Sequence, residues 1–269
     1  MASEEMASEL RAVNDFYDAP SIAWSLRGAG LHLHAGSEDA TVAQAQRLEA
    51  YGYTGGGRIL EIASALGGPA RYLARRFLAM VLCIDANPRM HAASRATAAA
   101  EGLTARTPLL LARTEALPLV AASCDVAWSQ DAMCHMDKPA VVREVARVLR
   151  PLGLFAFSDW VARAELTPEE RAELARVWSF PALLRLSEYV RLLDESGFDV
   201  LLAEDRTTIL SARPQVDPPD QQAWEGAFAA AYGAAELERQ REPFSMWRAL
   251  VRAGRTGYAS FVARKRAVA

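Results

Sequence analysis

ILEIASALGGPARYLA (Ile59–Ala74) is the stretch of sequence that decides the fold. It begins in a short, mostly apolar run, Arg58–Ala63, which predicts a parallel strand buried on both faces. A Gly-Gly-Pro break at 67–69 ends the run, and the following Ala70–Phe77 has helical spacing. A strand, a loop of small residues and a helix in this order are the beginning of a βαβ unit.

The same alternation continues along the chain. Further strands are predicted at Met80–Asp85, Thr107–Ala112, Cys124–Gln130, Leu154–Trp160, Phe198–Thr207 and Gly257–Arg266. Further helices are predicted at Glu5–Asp18, Thr41–Gly52, Met90–Gly102, Lys138–Leu149, Pro168–Val177, Ser187–Ser196 and within Pro218–Ala253. Right-handed crossovers between such elements produce a parallel sheet. We therefore expect an α/β, Rossmann-like, doubly wound seven-stranded sheet, mostly parallel with an antiparallel final strand, plus N-terminal helices and a helical cap.

Composition and charge argue against several kinds of partner. The chain has 269 residues, of which 51% are hydrophobic and 23% charged, and these values are typical of globular proteins. Its net charge of -3 and the lack of a basic stripe argue against a nucleic-acid partner. No apolar run approaches the roughly 18–20 residues that span a membrane. The acidic start MASEEMASEL also differs from a signal peptide, so we expect a cytoplasmic protein without a membrane partner.

Cysteine and histidine usage predicts neither a disulfide framework nor a metal site. The three cysteines, Cys83, Cys124 and Cys134, form no CxxC pair. The four histidines do not stand at ligand spacing beside them.

Ligands of a doubly wound sheet bind beyond the carboxyl ends of its strands. Here the small residues of 63–68 let a ligand approach the backbone, and the next helix offers free N–H groups. Asp85 ends the second strand, where it can accept hydrogen bonds from both hydroxyls of a ribose. The alternative is an ordinary acid at a strand end that faces water. The loop lacks the GxGxxG pattern of NAD-dependent dehydrogenases.

Three stretches together resemble the class I S-adenosylmethionine (SAM)-dependent small-molecule methyltransferases. They are ILEIASALGGPARYLA, VLCIDANPRM (Val81–Met90) and CDVAWSQDAMCHMDKPAVVREVARVLRPLGLFAFSDW (Cys124–Trp160). The resemblance is to the group with sarcosine/dimethylglycine N-methyltransferases and natural-product methyltransferases. It implies methyl transfer from SAM to nitrogen, oxygen or carbon of a small-molecule acceptor, with S-adenosylhomocysteine as product.

The resemblance also implies a set of site residues. The cofactor contacts would be Glu61, Ala63, Gly67, Asp85, Ala86, Met90, Arg113, Thr114 and Gln130, with Tyr17 and His34 contributed by an N-terminal lid. His135 would lie over the sulfonium, where a neutral imidazole accepts a proton or orients the acceptor. The alternative is a loop histidine packed under the cap. Glu61 would touch the methionine ammonium through water or only anchor the loop.

Two departures from the family pattern concern the cofactor site. Ala63 and Ala65 stand where glycines are usual, and alanine disfavours positive φ. Arg113 stands where an acid accepts a hydrogen bond from the adenine amino group, which an arginine cannot do. Its side chain could point to solvent, stack on the adenine, or fill the pocket by pairing with an acid. These departures motivate a second hypothesis, a methyltransferase-like protein that has lost methyl transfer and serves as a non-catalytic partner or catalyses another reaction, such as cyclisation.

We expect a single domain with three parts: a helical lid over 1–53, a cofactor-binding core over 54–160, and a C-terminal half over 161–269. The helical cap insertion is expected at about 208–255. Trp160, Trp178, Trp224, Phe244 and Trp247 could line an acceptor pocket in the cap or belong to its core. The pattern names no acceptor, and a homodimer is one possible oligomeric state.

Overall fold

The computed structural model describes residues 38–212 and 221–267. Its helices are α1 (Glu38–Ala50), α2 (Gly68–Phe77), α3 (Pro88–Ala100), α4 (Lys138–Val148), α5 (Pro168–Trp178), α6 (Leu186–Glu195), α7 (Gln221–Tyr232) and α8 (Ala234–Arg252). Its strands are β1 (Arg58–Ile62), β2 (Met80–Asp85), β3 (Leu109–Leu111), β4 (Cys124–Gln130), β5 (Leu149–Ala162), β6 (Phe198–Asp205) and β7 (Thr256–Lys265). The helix predicted at Glu5–Asp18 lies outside the described residues, as do Tyr17 and His34.

The seven strands form one sheet in the order β3-β2-β1-β4-β5-β7-β6. Strands β1 to β5 are parallel to their neighbours, whereas β7 runs antiparallel between β5 and β6. The predicted seven-stranded, mostly parallel sheet with an antiparallel final strand is thereby confirmed, and β6 lies at its edge. Because the chain turns from β1 towards β2 and β3, and later from β4 towards β5, the switch point lies between β1 and β4.

Apolar helix faces cover both sides of the sheet. On one side, Val141, Val145 and Val148 recur at helical spacing along α4 and are fully buried. On the other side, Leu48 of α1 and Leu73 of α2 belong to a second buried cluster. This two-sided burial explains why the central strands read as continuous apolar runs.

An aromatic cluster joins β5, α5 and α8. Trp160 of β5 contacts Trp247 of α8 edge to face, with ring centroids 4.6 Å apart, and Trp178 of α5 lies 5.5 Å from Trp247. These three tryptophans therefore belong to one packed aromatic cluster. The side chains of Trp224 and Phe244 lie outside the described part of the chain. Of the helices that the structure describes, none combines the length and the apolar character needed to cross a bilayer.

Strand β5 begins earlier than predicted. It starts at Leu149 rather than at Leu154, directly after α4, and its pairing with β4 shifts register between Cys124 and Val126. The irregular segment contains Pro151, which a strand tolerates at a bulge. Pro151 therefore lies inside β5 and does not separate the helix from the strand.

Candidate active site

A cavity of about 750 Å³ lies at the carboxyl ends of β1, β2, β3 and β4, within the size range of small-molecule sites. Its wall consists of 61–66 and Pro69 after β1, Asp85, Ala86, Asn87 and Met90 after β2, 112–116 after β3, 130–132 and 135–140 after β4, and Pro181, Ala182 and Leu184. The structure thus brings together Glu61, Ala63, Asp85, Ala86, Met90, Arg113, Thr114, Gln130 and His135. Gly67 lies outside this wall.

Asp85 joins the loops that follow β1 and β2. Its Oδ2 accepts a hydrogen bond from the Ala65 N–H at 2.7 Å, and its Oδ1 accepts one from the Asn87 N–H at 2.8 Å. Burial raises the pKa of this carboxyl above its usual range, while the two N–H donors oppose the rise. Two carboxylate oxygens have about four acceptor positions, so Asp85 retains capacity for a ligand hydroxyl.

Glu61 is a second buried acid in the same wall, and its residue is only 3% exposed. Its Oε2 has no hydrogen-bond partner among the described residues. Burial raises the pKa of Glu61 to about 8, an effect that Arg71 opposes and the Asp85 charge increases. A positively charged ligand would stabilise the ionised form of this carboxyl.

The loop after β1 keeps the left-handed backbone of a glycine-rich loop although it contains alanines. Ala63 has φ 50° and Ala65 has φ 45°. An L-residue in this region costs roughly 1–2 kcal/mol, so the loop is strained at both positions. Gly67, at φ 67°, precedes α2, and a Cβ there would lie 2.3 Å from Ser94 Oγ. Gly67 therefore permits close packing of α3 behind the loop.

We expect Ala63→Gly and Ala65→Gly each to raise the free energy of unfolding by about 0.5–1 kcal/mol, because glycine adopts positive φ without the steric cost. Urea denaturation measures the change. The matched control is Ala96→Gly on an exposed face of α3, which should lower stability by about 1 kcal/mol. Destabilisation at all three positions would contradict the strain in the loop.

Arg113 and Thr114 follow β3 at one end of the cavity. The Arg113 guanidinium pairs with Glu115, at 3.5 Å between Nε and Oε2, and its side chain is 28% exposed. Thr114 is buried beside it. The arginine thus lies in the cavity wall with an acidic partner and leaves the cavity open.

Gln130 has a defined amide orientation at the end of β4. Its Oε1 is 3.1 Å from Trp128 Nε1, which can only donate, and 3.2 Å from the Thr41 hydroxyl. Its Nε2 is buried, and no described residue accepts a hydrogen bond from it. Gln130 therefore offers one donor to a ligand in the cavity and connects α1 to β4.

The next residue, Asp131, fixes the loop that carries His135. It has φ 54°, and its Oδ1 accepts a hydrogen bond from the Tyr258 hydroxyl of β7. Tyr258 also lies 2.8 Å from Ser158 Oγ on β5. Strands β5 and β7 thereby hold in place the loop after β4, which contributes Asp131 to the cavity wall.

His135 has a defined tautomer. Its Nδ1 is 3.1 Å from the Ser179 carbonyl oxygen, which only accepts, so Nδ1 carries the proton and Nε2 is the acceptor nitrogen. Burial lowers the pKa of His135 to about 4, although the Ser179 carbonyl opposes this, and nearby Lys138 lowers it further. The imidazole is therefore neutral at pH 7. Asp159 holds the same turn by accepting from the Cys134 N–H at 3.1 Å.

Asn87 and Lys138 are two of the cavity-wall residues that were not predicted from the sequence. Asn87 caps α3, because its Oδ1 accepts from the N–H groups of Arg89 and Met90 at 2.9 and 3.1 Å. The Asn-Pro pair before a helix was the available signal. Lys138 is 2% exposed, and its Nζ donates to the Ala182 carbonyl at 2.5 Å. A lysine at the start of a helix is normally exposed, so nothing in the sequence indicates that Lys138 is buried.

The strand order and the antiparallel β7 are those of the SAM-dependent methyltransferase fold, and part of the chain is similar to this family in sequence. Residues 60–157 match the family model described as a methyltransferase domain. The family uses SAM as its cofactor.

Relatives of known name support the same assignment. Methyltransferase GfsG of Streptomyces halstedii is 31% identical over 164 residues, which are 60% of this chain and 59% of that protein. The match thus spans less than two thirds of that relative. A sarcosine/dimethylglycine N-methyltransferase of Halorhodospira halochloris is 28% identical over 203 residues, 74% of this chain and 71% of that protein.

A solved structure shares the fold over almost its whole length. It is a Galdieria sulphuraria protein assigned as a sarcosine dimethylglycine methyltransferase, with a TM-score of 0.82. It is 22% identical, and the match covers 92% of this chain and 99% of that one. At this identity the likeness establishes the fold alone.

Proposed function

We propose that the protein transfers the methyl group of SAM to nitrogen, oxygen or carbon of a small-molecule acceptor. The observation that carries the proposal is one cavity that combines Asp85 and Glu61 with the acceptor nitrogen of His135. The cavity fits SAM in chemistry as well as in size. The partnerless Oε2 of Glu61 suits a positively charged ligand, and Asp85 suits a ribose.

From the strand order we infer which parts of the two ligands would lie at each end of the cavity. Asp85 would bind the ribose, Thr114 and Arg113 would contact the adenine, and Glu61, Ala63 and the Gln130 amide would contact the methionine part. The cavity wall would include Ala86 and Met90. Gly67 would allow α3 to pack closely behind the loop after β1. Once bound, SAM supplies an electrophilic methyl group on a positively charged sulfur.

The chain's own contribution to the reaction is positioning and one proton acceptor. His135 would accept the proton of the acceptor's attacking atom at Nε2, while the Ser179 carbonyl holds Nδ1–H and so orients the ring. In-line methyl transfer mainly needs proximity and exclusion of water. We propose that a lid over residues 1–53 excludes water from the site, with Tyr17 and His34 as its contacts to the cofactor. The cap insertion at about 208–255 would select the acceptor.

The second hypothesis, loss of methyl transfer, is less well supported. It rested on Ala63, Ala65 and Arg113. Both alanines adopt the glycine-like backbone, and Arg113 pairs with Glu115 without filling the cavity. These observations support a functional cofactor site.

Calorimetric titration with SAM and S-adenosylhomocysteine tests the proposed function. We expect micromolar binding of both, followed by formation of S-adenosylhomocysteine when a pool of small amines, phenols and carbon acids is added. In the control reaction, which contains SAM without an acceptor, no S-adenosylhomocysteine should form. Absence of SAM binding at millimolar concentration would refute the proposal.

We expect Arg113→Asp to tighten SAM binding by about 0.5–1.5 kcal/mol, the net value of one added hydrogen bond to the adenine amino group. Arg113→Ala is the matched variant, because it removes the arginine without adding an acceptor. A large gain in both variants would mean that the arginine obstructs the site. A clear loss in both would mean that the guanidinium itself binds the cofactor.

A cytoplasmic location and a homodimer also remain predictions. Sedimentation equilibrium measures the oligomeric state directly.

A further inference from the structure

Glu61 and Asp85 form a pair of buried acids on one face of the sheet. Glu61 of β1 is the register partner of Cys83 of β2, and Asp85 follows Cys83 by two residues. Side chains two positions apart on a strand point to the same face. Glu61, Cys83 and Asp85 therefore lie side by side, and both acids reach the cavity wall.

Few charges near this pair can neutralise it. The cation that acts on Glu61 is Arg71 of α2, but Arg71 also bonds Glu101 at 3.1 Å and the Leu66 carbonyl at 2.7 Å. From α3, His91 faces Asp85. The neighbouring strand β4 pairs with β1 through Trp128 and Ser129, which do not titrate in this range.

The two acids differ in how their oxygens are held. Both Asp85 oxygens accept backbone N–H groups, which favours the ionised form. Glu61 has one oxygen without a partner among the residues described, and burial raises its pKa to about 8. When only one of two neighbouring carboxyls is ionised, the charge resides on Asp85 and the proton on Glu61.

We propose that Glu61 determines the preference of the site for positively charged SAM over its neutral product, because it holds a proton that a cationic ligand displaces. This inference rests on the proposed function. Binding of SAM, which has one net positive charge, converts the Glu61 carboxyl to carboxylate and releases one proton to solvent. S-adenosylhomocysteine has no sulfonium, and its ammonium is balanced by its own carboxylate, so this ligand has no net charge and Glu61 keeps its proton beside it.

The proposal has a consequence for turnover. Methyl transfer removes the positive charge in the cavity, and Glu61 then takes up a proton from solvent. The carboxyl thereby loses its electrostatic attraction for the ligand at the step where the product must leave. The dissociation constant of S-adenosylhomocysteine divided by that of SAM should therefore increase as pH rises towards the pKa of Glu61.

The test is calorimetry of each ligand at pH 7 in phosphate, HEPES and Tris, whose ionisation enthalpies differ. We expect release of nearly one proton with SAM and almost none with S-adenosylhomocysteine. In Glu61→Gln, which keeps the shape of the side chain, proton release should vanish. At pH 7 the preference for SAM should fall about tenfold for each unit by which SAM brings the pKa of Glu61 below 7. Glu195→Gln, an exposed acid at the end of α6, is the matched control.

Each outcome has one meaning. Equal proton release with both ligands would overturn the inference and point to the ammonium group that the two ligands share. Release that persists in Glu61→Gln would overturn it and point to Asp85 as the source. SAM binding without proton release in the parent protein would overturn it as well. Failure of SAM to bind at all would refute the proposed function instead. A thermal melt of Glu61→Gln verifies that the variant is folded.

Discussion

Replacement of His135 by alanine is expected to lower kcat by about 10²–10⁴-fold, with little change in SAM affinity. The reason is that Nε2 is the acceptor nitrogen of a ring whose other nitrogen is held by the Ser179 carbonyl. Because burial lowers the pKa of His135 to about 4, the ring is neutral throughout pH 6–9. At saturating SAM, the His135 titration should therefore not appear in kcat over that range, and activity should be lost only as pH falls towards 4.

His135→Gln separates a base from an orienting group. The glutamine amide can donate a hydrogen bond to the Ser179 carbonyl and accept one from the small molecule that is to be methylated, but it cannot take up a proton. A base role predicts that this variant is as slow as His135→Ala, whereas an orienting role predicts substantial recovery. Equal activity of parent and both variants would exclude either role.

Asp85→Ala is expected to weaken SAM binding by about 1.5–3 kcal/mol, because a charged acceptor would be lost from the ribose hydroxyls. The substitution also removes the acceptor of the Ala65 and Asn87 N–H groups, so it loosens the loops after β1 and β2. Titration calorimetry measures the change in affinity, and a thermal melt verifies that the variant is folded.

Two further variants make the Asp85 result specific. Asp85→Asn keeps one acceptor oxygen and should lose less affinity than Asp85→Ala. Asp125→Ala removes an acid at the opposite end of the sheet, where it accepts from the Arg58 N–H at 2.8 Å, and should leave SAM affinity unchanged. If Asp85→Ala bound SAM as tightly as the parent protein, the ribose would have to lie elsewhere.

Much of the fold could be predicted because strands buried on both faces are mostly apolar runs in the sequence. The bounds of β2 and β4 match the predictions, since each is an apolar run of the length of a buried strand. The helical segment predicted within Pro218–Ala253 is two helices, α7 and α8, separated by Gly233 at φ 90°. The predicted start of β5 was wrong, because a proline such as Pro151 occurs in an irregular strand as well as after a helix.

The candidate site was predictable where a residue follows a strand. Asp85 and Gln130 end β2 and β4, so the topology alone places both at the edge where ligands bind. The tautomer of His135 depends on Ser179, which is distant in sequence and contacts it only after folding. The same holds for buried Lys138 and its Ala182 partner.

The hydrogen bond between Tyr258 and Asp131 has a consequence for biosynthesis. The two residues are 127 positions apart, and Tyr258 belongs to the last described strand, which inserts between β5 and β6. A nascent chain that has emerged only as far as β6 contains residues 60–157 but lacks the β7 hydroxyl that holds Asp131 in the cavity wall. Closing so long a loop is entropically costly and slow. The binding site should therefore become competent for SAM only after the ribosome has released β7.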